Sequence, residues 1–375
     1  METLDFAIIG AGMAGASVAW QLAGQASVLL LERESQPGYH TTGRSAALFM
    51  ETYGTPQIRA LTRASRAFFE QPPPGFCDSP ILSPRGVLFV AAPDQLDQLE
   101  NTWQELHEHS PSLQRLSPAE MLERAPCLRL EALGGGLAES GAADMDVHGL
   151  HQGYLRGLRQ RGGTVRTHAE VVALTRADGL WTITLTDGSR VQARTMVNAA
   201  GALADVVGQM AGAAPIGLTP CRRTAFTFPA PDGLDLPSLP AIIAVDESFY
   251  IKPDARQLLG SPANADPMHP HDVAPEEIDV ATGIWHIEQM TTFQIRRPSH
   301  TWAGLRSFVP DGDMVIGWDG QVEGLFWLAA QGGYGIQSAP GYALLTRNLA
   351  LGEPLDAALT AQGVEAAALS PQRIR

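Results

Sequence analysis

The hydrophobic pattern changes period several times along the chain. Phe6-Ala7-Ile8-Ile9 is a short unbroken apolar run, as a strand buried on both faces requires, and glycines follow it at once. Met13 to Leu22 is small and helix-compatible, and Ser27 to Leu31 is a second apolar strand ending at Glu32. Together they predict a strand–helix–strand unit, the opening of a doubly wound parallel sheet. Gly38 to Tyr53 is rich in Gly, Thr and Ser and reads as a loop, with a helix predicted from about Pro56 to Phe69. Gln71-Pro72-Pro73-Pro74-Gly75 stops that helix and marks a first domain boundary.

A strand follows from Leu82, then a helix near Asp94 to His107. Ser117-Pro118-Ala119-Glu120 is a capping box with proline at the first helical position. Val147 to Arg161 is amphipathic and ends at Gly162-Gly163; strands are predicted near Val165, near Val171 and over Trp181 to Leu185. Asp187-Gly188 is a hairpin turn into a strand near Val191, and Met196 to Gly201 closes the block. Residues 220–302 mix strands, prolines and one helix from about Pro275 to Met290. After Arg306 the earlier pattern returns as strand, Asp-Gly turn, strand, glycine loop and helix.

Composition narrows the class. The 375 residues carry 26 Lys and Arg against 40 Asp and Glu, a net charge of −14, which argues against nonspecific nucleic-acid binding and against an anionic-membrane anchor. Hydrophobic residues make up 45 % and charged residues 18 %, which excludes disorder and fits a large buried interior. Cys77, Cys127 and Cys221 lie far apart without a CxxC pair, as thiols in a reducing compartment do. No His or Cys spacing predicts a metal site, and His269-Pro270-His271-Asp272 lies in a proline-rich loop and reads as solvated. Residues 6–31 hold no charge and are long enough to span a bilayer, but Gly10, Gly12, Gly15 and Gly24 punctuate them. The acidic start before them is unlike a secretory signal, so the expectation is a cytoplasmic protein without an integral membrane segment and without a nucleic-acid partner.

Gly10-Ala11-Gly12-Met13-Ala14-Gly15 fits G-x-G-x-x-G. The first glycine permits a tight turn, the second lets a pyrophosphate approach, and the third lets helix pack on strand. The helix N-terminus offers free N–H groups to the phosphates. Such a hexapeptide alone also fits a structural turn. Here it follows a strand, opens a helix and is trailed by Glu32, placed to bind a ribose hydroxyl pair. This fingerprint suits FAD and NAD equally.

Longer stretches separate them by resemblance. Gly38-Tyr39-His40-Thr41-Thr42-Gly43-Arg44-Ser45-Ala46-Ala47 resembles the flavin-contacting loop of the D-amino-acid oxidase superfamily. Asn198-Ala199-Ala200-Gly201-Ala202 resembles its second sheet motif, with Leu203 where a Trp is common. Asp311 to Gly317 and Gln331-Gly332-Gly333-Tyr334-Gly335-Ile336-Gln337 resemble its C-terminal flavin motif. Gln36 to His40, Tyr53 to Gln57, Leu150 to Gly157, Asp246 to Tyr250, Gly260 to Pro267 and Thr301 to Phe308 are similar to the bacterial FAD-dependent D-arginine dehydrogenases within it.

The resemblance implies an α/β fold: a Rossmann-like FAD-binding domain from residues 1–78, 141–219 and 307–375, and an inserted α+β substrate domain from 79–140 and 220–306 carrying an antiparallel sheet. FAD contacts are implied at Gly10, Gly12, Met13, Ala14, Gly15, Glu32, Arg33, Thr41, Thr42, Gly43, Arg44, Ser45, Ala46, Ala47 and Val171. They are implied also at Ala200, Gly201, Gly332, Gly333, Tyr334, Gly335, Ile336 and Gln337. No cysteine lies in a flavin-loop motif, so the FAD is expected to be noncovalent.

By the same resemblance Arg222 and Arg306 bind a substrate carboxylate, as planar guanidinium forks do, although an ion pair is the ordinary use of either. Strand neighbours point oppositely, so Arg222 and Arg223 cannot both face the site. Tyr53 and Tyr250 are implied to hydrogen-bond the substrate, Gly333 to present its carbonyl to the amine, and Gln337 to stand beside it at a helix start. Arg222, Arg306, Tyr53 and Tyr250 form the implied catalytic set.

Two departures bear on specificity. Val87 stands where the D-arginine enzymes have a guanidinium-binding glutamate, and Leu48 replaces a gating-loop histidine, with Met50 close behind. Both changes make the pocket apolar and point to a neutral D-amino acid as the small-molecule partner, while Glu51 offers an acid in the same loop. The implied reaction is oxidative deamination to an imino acid, then a 2-oxo acid and ammonia, with Tyr53, Tyr250 or water as base. Glycine, sarcosine, proline or a 2-hydroxy acid are alternative substrates, and an NAD-binding regulator is an alternative outside enzymology. The electron acceptor, a quinone of the respiratory chain or O2, is left open.

Overall fold

The computed structural model describes residues 3–108 and 110–374. Strand β1 (Thr3–Ile9) lies at the centre of an eight-stranded sheet, parallel to β2 (Val28–Leu31) on one side and to the strand Arg190–Asn198 on the other. Helix α1 (Met13–Leu22) is the crossover between β1 and β2. Thr164–Arg166 continues the parallel row beyond β2. The strand Arg190–Asn198 changes neighbour along its length. Its start pairs antiparallel with Leu180–Leu185, part of a meander with Val171–Ala177, and its end pairs parallel with Leu325–Ala329.

This is the Rossmann-like arrangement, and its parallel strands are apolar on both faces because both are covered. Ile8, Leu30, Val197 and Phe326 pack under α1 and the helices Val147–Gln160 and Ala339–Leu351. Ala7, Ile9, Leu31, Met196 and Trp327 pack on the opposite side with the meander and the helix Ala204–Met210. At Gly15 α1 comes so close to β1 that a Cβ there would stand 1.9 Å from the Gly10 carbonyl oxygen.

A second sheet of nine strands forms from Leu113–Leu116, Gly135–Glu139, Val87–Ala91, Ala241–Ala244, Tyr250–Asp254, Gln257–Ser261, Thr219–Pro229, Asp266–Pro267 and His300–Phe308. Every pairing in it is antiparallel except one. Ala241–Ala244 runs parallel to Val87–Ala91, where the two separated stretches of chain meet without a hairpin to reverse direction. One face of this sheet, with Leu88, Val90, Phe226, Phe228, Ile242 and Ile251, packs against the helices Pro118–Arg124 and Glu277–Met290. Leu48–Phe49, Leu82–Pro84 and Ala143–Met145 form a small third sheet.

Local signals act as expected at several ends. The Thr55 side chain caps the helix Pro56–Glu70, and Ser117 and Glu120 close their capping box. Two helices start later than the sequence suggests: Glu277 rather than Pro275, and Ala339, two residues beyond Gln337. The three cysteines are free thiols. Among the described residues no helix is long and apolar enough to cross a membrane, and no cluster of His, Cys, Asp or Glu could hold a metal.

Candidate functional site

A cavity of about 370 Å³ opens beside the carboxyl ends of β1 and β2, where an α/β sheet of this kind binds its ligands. At one end it is lined by Gly10, Gly12, Met13, Ala14, Glu32 and Arg33. Gly12 caps α1 without a side-chain hydrogen bond, and Thr42 Oγ1 accepts the Met13 N–H at 2.9 Å, which leaves the next N–H groups of the first turn to a ligand. The buried Glu32 carboxylate accepts the N–H groups of Ala11 and Glu34, both at 3.0 Å, and so ties the glycine turn to the end of β2. Beneath it His151 Nε2 donates to the Ala11 carbonyl at 2.9 Å. Burial pushes the His151 pKa down, so the neutral ring makes that bond.

Thr41, Thr42, Arg44, Ser45 and Ala46 line one flank, and Val171, Ala200 and Gly201 another. Arg44 donates to the carbonyls of Val273 and Ala303 and pairs with Asp272 at 2.5 Å, pinning the 262–276 loop against the cavity. Gly332, Gly333, Gly335 and Ile336 form a nearly side-chain-free wall before the helix Ala339–Leu351. A turn with an uncapped helix start at one end and a glycine wall at the other fits a dinucleotide carrying a planar ring. Gly15, Gly43, Ala47 and Tyr334 do not line the cavity; Gly43 closes a turn on the Gly38 carbonyl, and Tyr334 meets Tyr53 edge-on at 4.8 Å.

One expectation is corrected. Arg222 faces away from the cavity. Its Nε bonds Asp279 at 2.8 Å, its Nη1 pairs with Glu276, and Asp266 lies 3.4 Å from its Nη2. The guanidinium is spent on the helix Glu277–Met290 because Arg222 shares strand parity with Phe226 and Phe228, whose rings pack under that helix. Its neighbour Arg223 takes the cavity face, paired across the ladder with Gly304. Among the described residues Arg223 Nε has no hydrogen-bond partner, and burial together with the nearby Arg306 charge pushes its pKa down to about 10. Arg306 lines the same cavity and donates from Nη1 to the Tyr53 hydroxyl at 3.1 Å. Tyr250 completes this end. The parity of Phe226 and Phe228 was the sequence signal that assigns Arg223.

Leu48, Met50, Tyr53 and Val87 stand behind the cavity, where they cluster with Phe89, Ala142, Ala241 and Ile243. Ile243 is the ladder partner of Tyr250, which joins this apolar wall to the cavity. Glu51 is turned away from it, with its carboxylate on Arg66 Nε at 2.8 Å, so it is not a free acid in the loop. Gln337 is also spent internally. Its Oε1 accepts the Met50 N–H at 3.3 Å, and its Nε2 donates to Thr62 Oγ1 at 3.0 Å and to the Tyr53 carbonyl at 3.4 Å.

Comparison with known proteins agrees with this architecture. The family model described as DAO, FAD dependent oxidoreductase, matches residues 5–349. The chain is 29 % identical over 219 residues to the L-2-hydroxyglutarate dehydrogenase of Salmonella houtenae, covering 56 % of this chain and 50 % of that one. It is 26 % identical over 271 residues to the mitochondrial dimethylglycine dehydrogenase of Rattus norvegicus, covering 70 % of this chain and 31 % of that one. The matches thus span about half and about a third of those curated relatives. Glycine oxidase from Geobacillus kaustophilus superposes with a TM-score of 0.84 at 21 % identity, over 100 % of this chain and 99 % of that one. The L-alpha-glycerophosphate oxidase of Mycoplasma pneumoniae with FAD bound gives 0.83 at 18 % identity, over 94 % and 95 %. These two share the fold.

Proposed function

The chain belongs to the DAO family of FAD-dependent oxidoreductases, and on that premise we propose that it oxidises D-amino acids with neutral, hydrophobic side chains. One observation carries the reading. Two guanidinium groups, Arg223 and Arg306, face one cavity, and among the described residues neither forms an ion pair, Glu247 acting on Arg223 only at longer range. Buried cations left in this way are matched by an anion from outside, and an α-carboxylate presents two oxygens to such forks.

In this reading residues 1–78, 141–219 and 307–375 hold FAD and residues 79–140 and 220–306 form the substrate domain, with Tyr53 and Gly333 reaching the substrate from the FAD side. Bound FAD supplies a hydride acceptor for the substrate Cα. Arg223 and Arg306 grip the carboxylate and fix the orientation of Cα, which is this chain's main contribution to rate. Tyr250 and Tyr53 hydrogen-bond the bound acid, and the Gly333 carbonyl accepts from the amine. The amine reacts neutral, since an ammonium has no lone pair, and its proton goes to Tyr53, Tyr250 or water. The imino acid is hydrolysed by water to a 2-oxo acid and ammonia. The substrate side chain is directed past Tyr250 toward the apolar cluster of Leu48, Met50 and Val87 behind the cavity.

A second reading has support of its own: paired guanidiniums also suit a dicarboxylate, and one relative is an L-2-hydroxyglutarate dehydrogenase. Anaerobic bleaching of the flavin discriminates. D-leucine, D-methionine and D-phenylalanine should reduce it faster than D-arginine, glycine, sarcosine, L-proline or L-2-hydroxyglutarate. Reduction by L-2-hydroxyglutarate alone would replace the first reading with the second. Reoxidation by air or by a quinone then identifies the acceptor.

A further inference from the structure

We propose that Glu139 is a positioning residue of the substrate site: its carboxylate fixes the Met50–Tyr53 turn and, through it, the Tyr53 hydroxyl on Arg306. The inference rests on the substrate reading above for its meaning in turnover, but its geometry stands by itself.

Glu139 ends the strand Gly135–Glu139 and is the ladder partner of Val87. Residues directly opposite each other project from the same face, so Glu139 lies on the face that carries the apolar wall. It is 1 % exposed. Its Oε1 accepts the Glu51 N–H at 2.7 Å and its Oε2 accepts the Thr52 hydroxyl at 2.5 Å. From the other side Gln337 accepts the Met50 N–H and donates to the Tyr53 carbonyl. Four consecutive residues are thus each held by one of two buried side chains, and the last of the four delivers its hydroxyl to Arg306.

An acid in this position is costly, because among the described residues nothing cationic compensates it. The turn presents Glu51, whose charge opposes ionisation of Glu139, and Glu51 is itself paired with Arg66 from the helix Pro56–Glu70, which also binds Glu70. The partner strand Val87–Ala91 brings no charge. On the strand Leu113–Leu116 Arg115 pairs in solvent with Glu100, and beyond Ala142 Arg85 pairs with Asp144. Burial raises the Glu139 pKa to about 7. The two contacts are therefore charge-assisted on the alkaline side and ordinary on the acid side, a difference of roughly twofold in strength.

The test needs a reporter on Tyr53 that is independent of turnover. The holoenzyme is labelled with 3-fluorotyrosine, which gives six signals for six tyrosines, and the Tyr53 signal is assigned by its loss in Y53F. In the wild type that signal moves with pH about a midpoint near 7; in E139Q, which keeps two neutral contacts, it stays at the acid-side position. T52V removes one donor that stabilises the carboxylate and moves the midpoint upward. With D-leucine, KM in E139Q rises roughly 2- to 10-fold above pH 8, the effect of weakened hydrogen bonds, while kcat changes less. A Tyr53 signal that ignores pH, or that titrates alike in E139Q, overturns the proposal. If Tyr53 titrates through Glu139 but no amino acid reduces the flavin, the positioning role is upheld and the substrate reading is the one that falls.

Discussion

Arg306 Nη1 donates to the Tyr53 hydroxyl at 3.1 Å across a separation of 253 residues. That single bond ties the last strand of the nine-stranded sheet to the turn ahead of the helix Pro56–Glu70. The glycine wall closes on the same point: a Cβ on Gly333 would stand 2.8 Å from both Arg306 Nη1 and the Tyr53 hydroxyl oxygen.

Substituting G333A therefore wedges a methyl group between two polar groups that must both reach a carboxylate. Overpacking of this kind costs about 1–3 kcal/mol, and here the cost falls on the site. The expected outcome is a KM for D-leucine raised by roughly 5- to 150-fold with a thermal midpoint near that of the wild type. Steady-state kinetics beside a melting curve check it, and an unaltered KM would remove Gly333 from the site.

The two adjacent arginines should separate cleanly. R223Q deletes a guanidinium that has no ion pair among the described residues, so the fold keeps its stability while carboxylate capture weakens by about 2–5 kcal/mol, roughly 30- to 5000-fold in KM. R222M does the reverse. It leaves Asp279, 8 % exposed, without its arginine and costs about 3–5 kcal/mol in denaturant unfolding, with KM little changed. The opposite pattern would restore Arg222 to the site.

How far the molecule was legible in its sequence varies with the range of the interaction. The β1–α1–β2 unit was plain because its strands are apolar throughout and Gly10, Gly12 and Gly15 sit within one turn. The choice between Arg222 and Arg223 depended on which face of a strand meets a helix more than 50 residues away, although Phe226 and Phe228 carried the parity. The parallel junction between Val87–Ala91 and Ala241–Ala244 left no local mark, since no turn joins those strands. Glu139 was missed for a related reason. In Leu137-Ala138-Glu139-Ser140-Gly141 it reads as a solvated acid before a turn, and only the docking of Glu51 and Thr52 buries it.

That burial gives stability a pH dependence of unusual sign. The Glu139 carboxyl titrates near 4.5 when exposed and near 7 when folded, so between those values the folded chain holds the extra proton. Stability contributed by the neutral acid is full below about pH 4.5 and is lost as pH rises through 7. At about 1.4 kcal/mol per pH unit the penalty above pH 8 is about 3 kcal/mol. E139Q removes it. The variant should be more stable than the wild type at pH 8, with the difference closing as pH falls toward 4.5, as measured by urea unfolding; a constant difference across that range would mean that Glu139 does not titrate there.

The same pair of strands predicts how to change the substrate. Val87 faces the apolar wall, and V87E returns a carboxylate to the side-chain end of the site. Alone it would stand directly opposite Glu139, and two like charges on one ladder position repel, so much of the gain would be lost to protonation. In V87E/E139Q the repulsion is absent and the new carboxylate can meet a guanidinium. A charge-assisted pair is worth about 1.5–3 kcal/mol, so the kcat/KM ratio of D-arginine to D-leucine should rise by roughly 10- to 150-fold in the double variant and by less in V87E. Equal ratios in all three proteins would show that the substrate side chain does not reach Val87, and the apolar wall would then have no part in specificity.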